Sequence, residues 1–378
     1  MIPCRSGSSR LLAAGFGAAL LTLMTGPFGA AAQMPEATGA EIEAARALYF
    51  RGEGATARLA GGTIALPATA FPCANCHGAD GMGNQEGATV FPSILWDDLS
   101  TDSDIRPAYD AALLLGAVTG GRRSDARPLS SIMPRYDLTA EAQAGLGSFL
   151  VRLGKESQAG IGPTTLAIRP PPEEARRKGF EAAIADFNGG GRAHGRRLVS
   201  AGPDAPAALD LSKGQAVEAA ILGAELTALA DAAVADGHPA VTLLGSLPDG
   251  VALAGVRIDP DAPAAILIGS DGADGAALDG KQKLYARRDA LSAGWIAAIA
   301  ARPGLALAAT DPFPAASDWA RATGQGREGA AGYALGLVAA EAALAAGRRT
   351  SRDRLERLMR EAAARPVSLR HLEAAGAH

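Results

Sequence analysis

The chain has 378 residues, of which 48% are hydrophobic and 20% charged, and its mean hydropathy is close to zero; this is the composition of a folded soluble protein long enough for two domains, each with its own core. Thirty-six Lys and Arg stand against 40 Asp and Glu, for a formal net charge of -4. The two signs are interspersed, so no basic footprint for nucleic acid exists and that class of partner is excluded.

In chain order, the first element is an export signal over residues 1–32. Arg5 and Arg10 form a positive start, 11–24 is apolar, and Ala30, Ala31 and Ala32 supply the small residues a signal peptidase needs. The apolar run is short for a bilayer span, which takes about 20 residues. Cleavage after about Ala32 therefore predicts a periplasmic protein with no stable membrane span. An uncleaved anchor is the alternative. Residues 39–51 then read as a helix, with Ile42, Ala45, Leu48 and Tyr49 at helical spacing.

Cysteine arithmetic singles out the next element. Cys4 leaves with the signal, so the exported chain keeps only Cys73 and Cys76, in the string Cys73-Ala74-Asn75-Cys76-His77. A zinc site would need further ligands at metal spacing, and none follow. A thioredoxin-like pair would need a strand before it and a helix after it, whereas Phe71-Pro72 precedes it and Gly78 follows His77. The spacing suits covalent haem c: two thioethers anchor the porphyrin edge to one helical turn, and the adjacent His77 ligates the iron.

A sixth ligand must come from further along. Of the four methionines left after cleavage, Met34 lies at the new N-terminus, Met359 lies far away, and Met82 is only five residues past His77. Met133 remains, in a loop where Pro134 holds the chain out of the following helix. Its other reading is a buried gap-filler. No histidine besides His77 lies in the first half. The helix after Thr139, an N-cap with Glu141 in its first turn, presents Leu146, Phe149, Leu150 and Leu153. Trp96 is open between a place on the haem and an ordinary core position.

These pieces together resemble a class I cytochrome c domain over residues 36–154. The resemblance is carried by Arg46-Ala47-Leu48-Tyr49, by the haem string continued as Gly78-Ala79-Asp80-Gly81, by Met133-Pro134, and by the helix ending Phe149-Leu150-Val151-Arg152-Leu153. It implies an all-α fold around a partly exposed haem edge, His77 and Met133 as axial ligands of the haem iron, and one-electron transfer. One departure is an insertion-like stretch, 56–71, between the first helix and the haem string.

Residues 155–163 read as a linker rich in glycine and small polar residues. Beyond it, short apolar runs alternate with helical stretches, the pattern of an α/β domain with a mainly parallel sheet over 164–366. Strands are predicted at 164–168, 197–200, 240–244, 252–258, 264–268 and 306–309. Helices are predicted at 171–187, 213–235, 290–301, 329–346 and 351–364. Residues 367–378 read as a tail. No phosphate-binding loop or dinucleotide fingerprint is present, and Gly189 to Gly191 end a helix rather than open one.

This half resembles a type 1 periplasmic binding protein, the group that includes branched-chain amino-acid binding components of ABC transporters. The matching segments are Gly179-Phe180-Glu181-Ala182-Ala183-Ile184-Ala185-Asp186-Phe187-Asn188, then Gly195-Arg196-Arg197-Leu198, Gly332-Tyr333-Ala334-Leu335-Gly336-Leu337 and Glu341-Ala342-Ala343-Leu344. The resemblance implies two α/β lobes hinged around a small ligand, but residues 164–378 fall short of the usual two-lobe size, so a missing or reduced lobe is expected. The rule that ligands sit beyond strand carboxyl ends nominates Gly245-Ser246 and Gly269-Ser270-Asp271, with plain turns as the other reading.

No paired carboxylates, Ser/His/Asp set or nucleophilic cysteine can be assembled. The sequence therefore reads as an electron carrier rather than an enzyme: a periplasmic cytochrome that takes an electron from a dehydrogenase, with a quinoprotein dehydrogenase as the guess for that partner, and passes it to a downstream acceptor. The alternative is a haem-containing ligand-binding or sensory protein whose α/β domain binds a small molecule.

Overall fold

The computed structural model describes residues 36–372 apart from 60–62, 213–214, 248–250, 252 and 270–274. The export segment, Met34, Ser270, Asp271 and His378 lie outside the described residues.

The first domain is built on two crossing helices. α1 (Gly39–Arg51) starts where the sequence places its cap: the Thr38 hydroxyl accepts from the Glu41 N–H, and the Glu41 carboxylate accepts from the Thr38 N–H at 2.7 Å. Gly52, in the left-handed region at φ 68°, ends it. β1 (Ala55–Arg58), β2 (Leu66–Pro67), α2 (Cys73–His77), β3 (Asn84–Glu86), β4 (Thr89–Phe91), α3 (Trp96–Leu99), α4 (Ala111–Gly120) and β5 (Arg135–Leu138) follow. Then comes α5 (Ala140–Ser157), capped by Thr139 as expected. α5 turns Leu146, Phe149, Leu150 and Leu153 onto Ala45 and Tyr49 of α1, and the Tyr49 and Phe149 rings lie 5.3 Å apart.

An all-α first domain is not what the chain forms. β1 pairs antiparallel with both β2 and β5, with Ala57 opposite Tyr136, and β3 and β4 make a small hairpin. The stretch 56–71 therefore does more than bridge two helices. Ala57, 1% exposed, points inward, and the strand's backbone groups are satisfied by the segment just after Met133.

The stretch expected as a linker is also ordered differently. α5 runs on through Lys155 to Ser157, and Ser157 is buried, its hydroxyl donating to the Asp80 carbonyl at 3.1 Å.

The second half is an α/β domain, and it holds two sheets. β6 (Thr165–Arg169), α6 (Glu174–Gly190), β7 (Arg197–Ser200) and β8 (Leu209–Asp210) form the first lobe, a parallel sheet in the order β7-β6-β8. α7 (Gln215–Ala235) leads to β9 (Ala240–Leu244), β10 (Arg257–Ile258), β11 (Ala264–Leu267), β12 (Lys283–Arg287), α8 (Ala293–Ala300) and β13 (Ala306–Thr310). α9 (Pro314–Thr323), α10 (Gly326–Ala346) and α11 (Arg352–Ala363) follow before β14 (Leu369–Leu372). The second sheet runs β10-β9-β11-β12-β13-β14 and is parallel except for β14, which pairs antiparallel with β13.

The second half therefore holds two separate sheets, one of three short strands and one of six. The expected tail contributes β14 because Leu369 to Leu372 close the open edge of β13. Among the described residues of the strand predicted at 252–258, only 257–258 is extended. β8, β12 and α9 arise where no element was predicted.

The central strand β11 is buried along its whole length, the continuous apolar run expected of a parallel sheet covered on both faces. α10 is long and apolar enough to cross a membrane, but 67% of that stretch is buried within the domain. It packs on α6 through Gly332, where a Cβ would collide with the Arg176 carbonyl, and Gly336, where one would meet the Ala183 side chain. The first lobe's core, centred on Phe180, Leu198, Leu335 and Met359, surrounds this contact.

Candidate functional site

α2 is a single helical turn stopped by Gly78, whose φ of 80° and ψ of 155° leave helical space. It carries Cys73, Cys76 and His77 in one turn. Two tyrosines grip the backbone on either side: the Tyr136 hydroxyl donates to the Phe71 carbonyl, and the Tyr49 hydroxyl to the Gly78 carbonyl, both at 2.6 Å. Burial pushes both phenols far above their ordinary range, so they remain donors. Tyr49 was legible only as a residue of the first helix and of the resemblance, and Tyr136 was given no role. Their hydroxyl partners are backbone groups, which leave no residue signal.

His77 Nδ1 lies 2.8 Å from the carbonyl oxygen of Pro92. A carbonyl can only accept, so Nδ1 carries the proton and Nε2 keeps its lone pair. Burial lowers the pKa of this imidazole, outweighing the bond to Pro92, and so favours the neutral, ligating form. This is the arrangement by which a metal-ligating histidine is oriented through its second nitrogen. Burial likewise pushes the Cys73 thiol up to about 12, which argues against a thiolate nucleophile at that position.

Beside α2 lies a slot of about 480 Å³, lined by Cys73, His77 and Met133 among apolar side chains that include Leu99, Leu114, Leu146 and Leu150. Met133 comes from the loop before β5. Arg135 holds that loop by donating to the carbonyls of Met133 at 2.5 Å, Leu129 at 3.3 Å and Ser130 at 3.4 Å. Arg135 was missed in the sequence because its partners are all main-chain oxygens.

Among the described residues, the other two methionines are engaged elsewhere. Met82 Sδ accepts from Gln158 Nε2 at 3.3 Å, and Met359 is 1% exposed in the first lobe's core. Trp96 takes its core reading: it is buried with Leu95, Leu99 and Leu153 and does not line the slot.

The slot's charged lining consists of Asp98 and three arginines, Arg106, Arg123 and Arg349. An excess of guanidinium groups suits a ligand that brings carboxylates of its own. With two sulfurs on one turn, an oriented imidazole and a thioether on the same slot, these residues fit a haem c. Among the described residues no cluster of three or more His, Cys, Asp or Glu side chains offers a different metal site.

A second concavity, of about 430 Å³, lies between the two α/β lobes, beyond the carboxyl ends of β12 and β13. Arg176 of α6 reaches Glu218 at 2.6 Å and Glu328 at 2.5 Å, while Arg287 reaches Glu225 at 2.9 Å and Asp289 at 2.8 Å. The Thr310 hydroxyl donates to Glu225 at 2.8 Å. Burial raises the Glu225 pKa against the pull of Arg287.

The carboxyl-end rule nominated turns after β9 and β11, whereas this cleft lies beyond β12 and β13. Gly245 packs against Gly269 as a turn, Ser246 is exposed, and none of the three lines the cleft. His194 Nε2 lies 2.7 Å from the Leu344 carbonyl. This chain matches no protein-family model, no curated protein and no solved structure.

Proposed function

We propose that this protein is an exported c-type cytochrome, an electron carrier with one covalent haem c held by Cys73 and Cys76 and ligated by His77 and Met133. The observation that carries the reading is the pairing of His77, oriented through Pro92, with Met133 on the lining of the same slot. A haem bound there supplies a one-electron couple. The chain's own residues do the rest: the Pro92 carbonyl fixes the imidazole tautomer, Arg135 fixes the methionine loop, and Leu99, Leu114, Leu146 and Leu150 keep water from the slot. A His/Met pair raises the potential relative to thiolate ligation. That suits uptake of an electron from a periplasmic dehydrogenase, of quinoprotein type in this proposal, and its delivery to a downstream acceptor.

Haem staining after denaturing electrophoresis tests attachment: wild type is expected to stain and a Cys73→Ala, Cys76→Ala double variant not to. Met133→Ala is expected to abolish the weak ferric sulfur-to-iron band at about 695 nm. An unchanged ferric spectrum in that variant overturns the ligand assignment.

The interlobe cleft favours a second role, small-molecule binding by the α/β domain, because charged groups from α6, α7, α10 and the ends of β12 and β13 converge on it. Calorimetry of the full chain against amino acids and short alcohols is expected to give a saturable heat that Arg176→Ala removes. Silence across the panel leaves docking of the cytochrome onto its partner as the domain's role.

A further inference from the structure

The loop between α10 and α11 belongs to the α/β domain, yet it reaches the first domain at the slot. Arg349 Nη2 lies 2.6 Å from Asp98 Oδ2, which also accepts from the Ser93 hydroxyl at 2.5 Å, and both Arg349 and Asp98 line the slot. Two residues on, the Ser351 hydroxyl donates to the Asp80 carboxylate, and Gln158 Nε2 donates to the Thr350 carbonyl at 2.9 Å. Ser351 also caps α11, accepting from the Arg354 N–H. The loop is thereby pinned at three successive residues, and its arginine is held at the slot.

The other two arginines differ in how they are spent. Arg106 gives its guanidinium to the carbonyls of Asp98, Leu99 and Pro107, and Arg123 gives its own to the Ile105 carbonyl and the Asp125 carboxylate. Arg349 makes its ion pair with Asp98, the one carboxylate among the described residues that line the slot.

We propose that the α/β domain completes the cofactor site of the first domain, with Arg349 as a cross-domain cation that binds the carboxylate substituents of the haem and stabilises its reduced state. The inference rests on the haem reading above. A positive charge on the lining of the slot would favour the less positive oxidation state of a haem bound there, so removing it is expected to lower the potential. The Arg349 side chain is 67% exposed, so solvent screening tempers the effect and low ionic strength is the condition in which to read it.

The test is the midpoint potential of the full-length holoprotein. Arg349→Gln is expected to shift the reduction equilibrium toward the oxidised form by about three- to tenfold, or about 30–60 mV for one electron at about 59 mV per decade. Arg349→Lys is expected to recover most of that shift, and high salt to shrink it. Ser351→Ala, which loosens the pin beside Arg349 without removing the cation, is expected to give only a part of the Arg349→Gln shift.

An unmoved potential in Arg349→Gln overturns the proposal, as does an equal shift in the Gln and Lys variants, or one as large in Ser351→Ala. Absence of covalent haem in the wild type is a different result, because it sinks the haem reading itself.

Discussion

Gly145→Val is expected to unfold the first domain at temperatures where the wild type is intact. At Gly145 the backbones of α1 and α5 come so close that a Cβ would collide with the Glu41 carbonyl oxygen. That oxygen belongs to the first turn of α1 and cannot rotate away as a side chain would. Accommodating valine therefore means moving one helix off the other and opening the contact of Ala45 and Tyr49 with Leu146 and Phe149. Overpacking of this kind typically costs about 1–3 kcal/mol, and a backbone collision belongs at the upper end or beyond. Thermal melts followed by circular dichroism check it. A melting temperature within a degree or two of wild type would mean that the two helices are not in register at this crossing.

The second large effect lies in the interlobe cleft. Arg287→Ala is expected to cost about 3–5 kcal/mol at neutral pH, because it strips the partner from a buried carboxylate. The Glu225 side chain is 4% exposed, and that of Arg287 14%. The pH dependence has a definite sign. Burial raises the pKa of Glu225 in the folded protein above that of an ordinary glutamate. A group with a raised folded pKa contributes stability that is present below the unfolded value and is lost as pH rises through the folded one. Losing Arg287 removes an influence that lowers this pKa, so the deficit of the variant should be largest near pH 7 and shrink toward pH 4.5. Denaturant melts at the two pH values measure it. A deficit that is the same at both would mean that Glu225 is not the carboxylate left unpaired.

What could be read in advance follows from where each interaction leaves its mark. α1 and α5 were legible because Thr38 and Thr139 are caps and their apolar residues recur at helical spacing. β9 and β11 were legible as apolar runs. β12 was not, since Lys283 and Arg287 bracket a core of three residues, too short to show a period. β1 was hidden for another reason: Ala-Thr-Ala-Arg has little strand preference, and its pairing with β5 is decided by tertiary context. In the slot, the string from Cys73 to His77 and the Met133-Pro134 step were visible as residue types. Pro92, Arg135 and Tyr136 act through main-chain oxygens, and Arg349 arrives from another domain. Neither kind of contribution has a local pattern.

The seam between the domains also carries information about time. Asp98 and Arg349 are 251 positions apart, and Asp80 and Ser351 are 271 apart. A chain made from its N-terminus has both crossing helices, the two cysteines and the methionine loop in hand while the last side of the slot is still unmade. Any group that must enter has an open door until the segment from Arg349 to Ser351 arrives. The door is shut late, by a few hydrogen bonds that contribute about 0.5–1.5 kcal/mol each. A closure built from polar contacts rather than a buried apolar face lets the first domain finish alone and be sealed afterwards.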